Sequence, residues 1–154
     1  MRMNLTQGSF TQQEHAHCRI LVCDDSQVEA KFLAKLLSVL GYENVVKVTD
    51  SRAVVPLLQA EPFDLILLDI KMPHVSGLEI INVVRQLHSQ ADLPILVITG
   101  AGSTVTRNSA LLAGANDYLN KPIDPMEMSL RVRNLLTIRT IHKANLAMQG
   151  KLAQ

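Results

Sequence analysis

Leu65-Ile66-Leu67-Leu68-Asp69-Ile70-Lys71-Met72-Pro73 runs four apolar residues straight into a carboxylate, then turns on a lysine and a proline. The apolar run is too short for a helix. Its unbroken hydrophobicity, without alternation, marks a strand covered on both faces, as in a parallel sheet. An acid at the end of such a strand stands where functional groups gather, beyond the carboxyl ends of an open parallel sheet.

On either side of this run the chain repeats the same pattern. Short apolar or β-branched runs at Ile20-Leu21-Val22-Cys23, Val45-Val46-Lys47-Val48, Ile95 to Ile98 and the weaker Asp117-Tyr118-Leu119 read as four further strands. Segments of helical period separate them. Ser26 with Glu29 three residues on forms a capping box, Val28, Phe32, Leu33, Leu36, Leu37 and Leu40 form an apolar stripe, and Gly41 suits the residue past the helix end. Further helices are expected over 51–60, 78–88, 103–113 and from Pro125 onward, where Asp124, Pro125 and Glu127 take the N-cap, N1 and N3 positions. Pro56 inside the second helix costs about 3 kcal/mol unless that helix kinks or starts late. Five strand-helix pairs indicate an α/β class, a doubly wound five-stranded parallel sheet, for which the flavodoxin-like order 2-1-3-4-5 is expected, with an extended C-terminal helix.

Composition sets the remaining bounds. A chain of 154 residues with 47% hydrophobic content makes one domain plus tails, and a net charge of +1 gives no field for nucleic acid or an anionic membrane. Cys18 and Cys23 fit neither a disulfide framework nor a zinc pattern, and no apolar run is long enough to span a bilayer, so a cytoplasmic setting is expected. Residues 1–17 read as a flexible polar tail in which His15 and His17 are incidental, 18–137 as the domain, and 138–154 as a helical extension or linker. Arg131, Arg133, Arg139 and Lys143 read as a solvated basic face, and the second half of the last helix as a linker to an output domain, a weak dimeric coiled coil or a frayed end.

The polar residues at the strand ends carry the chemistry. Asp24 and Asp25 follow the first strand, Asp69 ends the third, Thr99 and Gly100 close the fourth, and Lys121-Pro122 follow the fifth. The order 2-1-3-4-5 makes strands one and three neighbours at the switch point, which gathers three carboxylates in one pocket. Like charges so placed need a cation, and all-oxygen ligands with room for waters suit Mg²⁺ better than Ca²⁺ or zinc. A carboxylate beside Mg²⁺, a lysine and a hydroxyl has the parts to accept a phosphoryl group covalently, with Asp69 attacking in line and Lys121, Thr99 and a backbone N–H holding the phosphoryl oxygens.

The stretches VCDDS, LILLDIKMP, LVITG and GANDYLNKPID resemble the motifs of receiver domains of two-component response regulators, over about 19–136. Spacings agree: 30 residues separate Asp69 from Thr99, 22 separate Thr99 from Lys121, and Tyr118 stands three before the lysine. The resemblance implies that Asp69 is the phosphoacceptor for a phosphohistidine on a sensor histidine kinase or phosphotransfer protein. It implies Mg²⁺ held by Asp24, Asp25, Asp69 and the backbone carbonyl of Lys71, phosphoryl contacts from Thr99, Gly100 and Lys121, and a Thr99–Tyr118 switch. It further implies a cis Lys121-Pro122 bond, and a face of fourth helix, fifth strand and fifth helix that controls an output domain or effector, or pairs as a homodimer. Lys71 and Ala101 occupy positions that the family associates with phosphate lifetime. No direct nucleic-acid or membrane contact is expected.

Two other classes share parts of this pattern. A haloacid-dehalogenase-type aspartyl-phosphate hydrolase wants an acid two after the nucleophile, where this chain has Lys71. A flavin- or nucleotide-binding module wants a phosphate-cradling loop after the first strand, where this chain has Asp24-Asp25.

Overall fold

The computed structural model describes residues 15–100 and 104–152. Five strands alternate with five helices: β1 Arg19–Cys23, α1 Gln27–Val39, β2 Asn44–Val48, α2 Val54–Ala60, β3 Leu65–Asp69, α3 Gly77–Leu87, β4 Ile95–Thr99, α4 Thr104–Ala113, β5 Asp117–Asn120 and α5 Pro125–Leu152. The strands pair in the order β2-β1-β3-β4-β5, all parallel, as expected. Among the described residues no helix is long and apolar enough to cross a membrane.

The unbroken apolar runs are explained by two covered faces. Ile20, Val22, Leu65, Leu67, Leu96 and Ile98 point to one side and pack with Leu33 and Leu37 of α1 and Met128, Val132 and Leu136 of α5. Leu21, Cys23, Ile66, Leu68, Ile95 and Val97 point to the other, against Val54 of α2, Ile80, Ile81 and Val84 of α3 and Ala110 of α4. Each fully buried Leu or Ile contributes about 1.5 to 3 kcal/mol, so the central strands are a stiff mount for what stands at their ends.

Register sets those ends level. Cys23 pairs with Leu68 and Asp69 with Ile98. The residue after β1, Asp24, therefore arrives beside the last residue of β3.

Several local expectations change in three dimensions. Gly41 ends α1 at φ +103°, with its N–H donating to the Ser38 carbonyl and the Tyr42 N–H to that of Leu37, the double closure of a left-handed helix cap. The apolar stripe of α1, however, is centred on Ala30, Leu33 and Leu37, while Val28 and Phe32 face solvent at 77% and 52% exposure. The second helix starts late: a 3-10 turn over Ser51–Ala53, capped by Asp50, precedes Val54, so Pro56 lies in the first α turn, where its missing N–H costs nothing.

At the termini, the turn of His15 to His17 belongs to the folded body and not to a tail. His15 is buried with Nε2 3.2 Å from Thr137 Oγ1, and the Ala16 carbonyl accepts from the Glu43 N–H. Residues 1–14 of the expected tail lie outside the described residues. Helix α5 crosses the expected boundary at 137/138 without a break. Nor is Arg139 part of a solvated face: 13% exposed, it pairs with Asp64 at 3.2 Å and Asp92 at 2.9 Å, anchoring α5 to the segments that lead into β3 and β4. Arg131 pairs with Asp117 of β5 at 2.9 Å.

Candidate functional site

The chain brings Asp24, Asp25, Asp69 and Lys121 together at the carboxyl ends of β1, β3 and β5. One carboxylate oxygen from each of Asp24, Asp25 and Asp69 lies within 4.8 Å of the others, with Asp24 and Asp69 buried and Asp25 exposed. Lys121 Nζ reaches into this group, 3.3 Å from Asp24 Oδ2 and 3.9 Å from Asp69 Oδ2, and also hydrogen-bonds Glu29 Oε2. The peptide bond between Lys121 and Pro122 is cis.

Electrostatics follow from that crowding. Burial pushes the Asp69 carboxyl up to about 6; the Lys121 ammonium and the Lys71 N–H pull it down, and the charges of Asp24 and Asp25 push it up. Asp24 is likewise raised, first by burial, with the Ser26 N–H and Lys121 acting against it. Burial works against the charge of Lys121, but the hydrogen bond to Glu29 and the charges of Asp69 and Asp24 outweigh it and hold the ammonium above its ordinary value. Three carboxylates offset by one lysine leave a site short of positive charge. Their oxygen-only donors suit a hard divalent cation and lack the thiolate or imidazole that zinc prefers.

The remaining candidates are spread around this centre. Thr99 is buried beside it, its hydroxyl donating to Asn120 Oδ1 at 3.2 Å, and Gly100 is exposed just beyond. Tyr118 lies on the α4 side: Arg107 stacks over its ring at 4.7 Å and donates to its hydroxyl at 3.0 Å. The side chain of Lys71 is exposed. Ala101 lies outside the described residues.

Sequence reasoning overlooked three supports of Asp69. A Cβ on Gly77 would stand 2.6 Å from the Asp69 carbonyl oxygen and 2.7 Å from Ile70 Cα, so only glycine lets α3 begin against the strand end. The Gly77 N–H donates to the Ile70 carbonyl at 2.9 Å. Buried Ser51 donates to the Pro73 carbonyl and accepts from the Val75 N–H at 3.1 Å, clamping the loop after Asp69 in which His74 adopts φ +71°. Glu29 is the third, read as half of a capping box. Its N–H does donate to Ser26 Oγ at 3.3 Å, but the Ser26 N–H goes to Asp24 Oδ1 at 2.9 Å, which leaves the Glu29 carboxylate for Lys121. A glycine at the first position of a helix was the one signal for Gly77; Ser51 and Glu29 had none, because their partners are distant in sequence.

The chain resembles known proteins over this same span. The sequence profile of a family described as "Response regulator receiver domain" matches residues 20–133. Response regulator MprA of Mycolicibacterium vanbaalenii is 43% identical over 119 residues, 77% of this chain and 50% of that protein. The cyclic di-GMP phosphodiesterase response regulator RpfG of Xanthomonas campestris pv. campestris is 35% identical over 135 residues, 87% of this chain and 36% of that protein. A solved response regulator receiver domain protein from Methanospirillum hungatei superposes with a TM-score of 0.74 at 25% identity, covering 82% of this chain and 98% of that one. The chain spans about half the length of the curated relatives it matches.

Proposed function

Since this chain belongs to the receiver-domain family of two-component response regulators, we propose that Asp69 is its phosphoacceptor and that Lys121, Thr99 and the Gly100 backbone receive the phosphoryl oxygens. The observation that carries this is the meeting of Asp24, Asp25 and Asp69 within 4.8 Å, with the Lys121 ammonium between Asp24 and Asp69. An Asp69 oxygen bonds to phosphorus as the phosphorus–nitrogen bond of a partner's phosphohistidine breaks and the imidazole leaves. Lys121 neutralises charge on the transferring oxygens, and the Thr99 hydroxyl leaves Asn120 to donate to one of them. Asp24, Asp25, Asp69 and the Lys71 carbonyl would hold Mg²⁺, which when bound offsets the carboxylate and phosphoryl charge.

The domain acts as a signalling phosphoacceptor and catalyses only its own phosphorylation and dephosphorylation. The partners this reading names are a sensor histidine kinase or phosphotransfer protein upstream and an output domain or effector downstream. Thr99 and Tyr118 switch the face of α4, β5 and α5, where a second copy would also pair. The receiver unit takes in the His15–His17 turn and α5 at least as far as Arg139, which ties that helix to Asp64 and Asp92, and the rest of α5 extends as a helical extension or linker toward an output, in a cytoplasmic protein. The exposed Lys71 side chain lies where it can affect phosphate lifetime; decay of the phosphorylated domain compared between wild type and Lys71→Ala tests that, and equal decay overturns it.

The principal experiment incubates the protein with Mg²⁺ and acetyl phosphate and follows its mass. Gain of about 80 Da, one phosphoryl group, lost in Asp69→Asn, is the expected result. Multiple-turnover phosphate release from diverse esters would favour the haloacid-dehalogenase-type hydrolase instead.

A further inference from the structure

Glu29 stands in the first turn of α1, outside the acidic triad, yet its carboxylate makes the closest contact of the Lys121 ammonium. It is available for this because Asp24 caps the Ser26 N–H that a capping-box glutamate would otherwise take. The ammonium is thereby shared among three acids: hydrogen-bonded to Glu29, 3.3 Å from Asp24, and only 3.9 Å from Asp69. The last separation is too long for a direct hydrogen bond and leaves room for an oxygen to come between.

We propose that Glu29 is a positioning residue for phosphoryl capture: it holds the Lys121 ammonium back from Asp69, so that the acceptor oxygen stays open and the lysine is already placed for a phosphoryl oxygen. This rests on the reading of Asp69 as phosphoacceptor. Without Glu29, the ammonium has only Asp24, 3.3 Å away, and Asp69, 3.9 Å away, to neutralise it, and is drawn in toward both. A lysine in direct contact with the attacking carboxylate ties up its lone pairs and blocks its approach to phosphorus.

The test times phosphorylation by phosphoramidate at saturating Mg²⁺ in wild type, Glu29→Gln, Lys121→Met and the double variant. In this reaction an Asp69 oxygen bonds to phosphorus while the phosphorus–nitrogen bond breaks and ammonia leaves. Glu29→Gln is expected to slow the reaction about fivefold, the effect of one partly exposed ion pair, and to add no loss in the Lys121→Met background. The ¹H–¹⁵N resonance of the Lys121 ammonium, assigned by its absence in Lys121→Met, is expected to move in Glu29→Gln. A rate in Glu29→Gln equal to or above wild type, an equal loss in both backgrounds, or an unmoved ammonium resonance overturns the proposal. Should Lys121→Met react too slowly to time, the ammonium resonance decides. If wild type itself takes up no phosphoryl group, the phosphoacceptor reading fails and this inference with it; an adduct in wild type with no effect of Glu29→Gln removes the positioning role alone.

Discussion

Replacing Asp69 by asparagine should make the protein more stable, by an amount the site's geometry sets. Asp69 is 8% exposed, and burial together with Asp24 and Asp25 carries its carboxyl from 3.8 to about 6 despite Lys121. A shift of about two units corresponds to about 3 kcal/mol by which the folded state disfavours the charged form. Because the folded-state value lies above the unfolded one, this side chain's contribution to stability is intact below about pH 4 and is lost as pH rises through about 6. Asparagine keeps the shape and stays neutral. At pH 7.5 without divalent metal, Asp69→Asn should gain about 2 to 3 kcal/mol, or roughly 5 to 10 °C in melting temperature for a domain of this size. The assay is thermal unfolding followed by circular dichroism for both proteins at pH 7.5 and pH 4. Equal melting temperatures at pH 7.5, or a gain of the same size at pH 4, would refute the reasoning, since either would mean that the carboxylate is not held against its charge.

Other perturbations test the supports of the site. Mg²⁺ at a hundred times its Kd should stabilise the wild type by about 2.7 kcal/mol and Asp69→Asn by less, as read from melting with and without the ion. Gly77→Ala should cost about 2 to 3 kcal/mol in urea unfolding, because its Cβ meets backbone at 2.6 and 2.7 Å and neither strand end nor helix can yield cheaply. Arg139→Ala should cost about 1 to 2 kcal/mol by removing the guanidinium that Asp64 and Asp92 share, while Asp64 keeps the Arg19 N–H and Asp92 keeps His88, measured by the same titration. Arg107→Ala should cost about 1 kcal/mol or less and shift the ring protons of Tyr118 while leaving those of buried Tyr42 in place, as seen in aromatic NMR spectra.

Strand identity was legible in the chain because the three central strands, buried on both faces, have to be apolar throughout, and these with the two more polar edge runs, separated by helical periods, leave few topologies. The acids at the strand ends were legible for the same reason: Asp24 and Asp69 interrupt apolar runs at the point where a parallel sheet exposes its functional edge. Helix faces were less legible. Val28 and Phe32 fit the period of α1 as well as Leu33 and Leu37 do, and only the position of the sheet determines which pair is covered. Arg139 and Glu29 mark the limit most clearly. Each looks like an ordinary surface charge in one dimension, yet folding sets Arg139 between Asp64 and Asp92 and Glu29 against Lys121, 92 residues away. Hydrophobic period is a local property that the chain carries along its length, so burial and strand order follow from it. A charge acquires its partner only when distant segments meet, so which acid holds which lysine is settled by the packing of α1 against the end of β5.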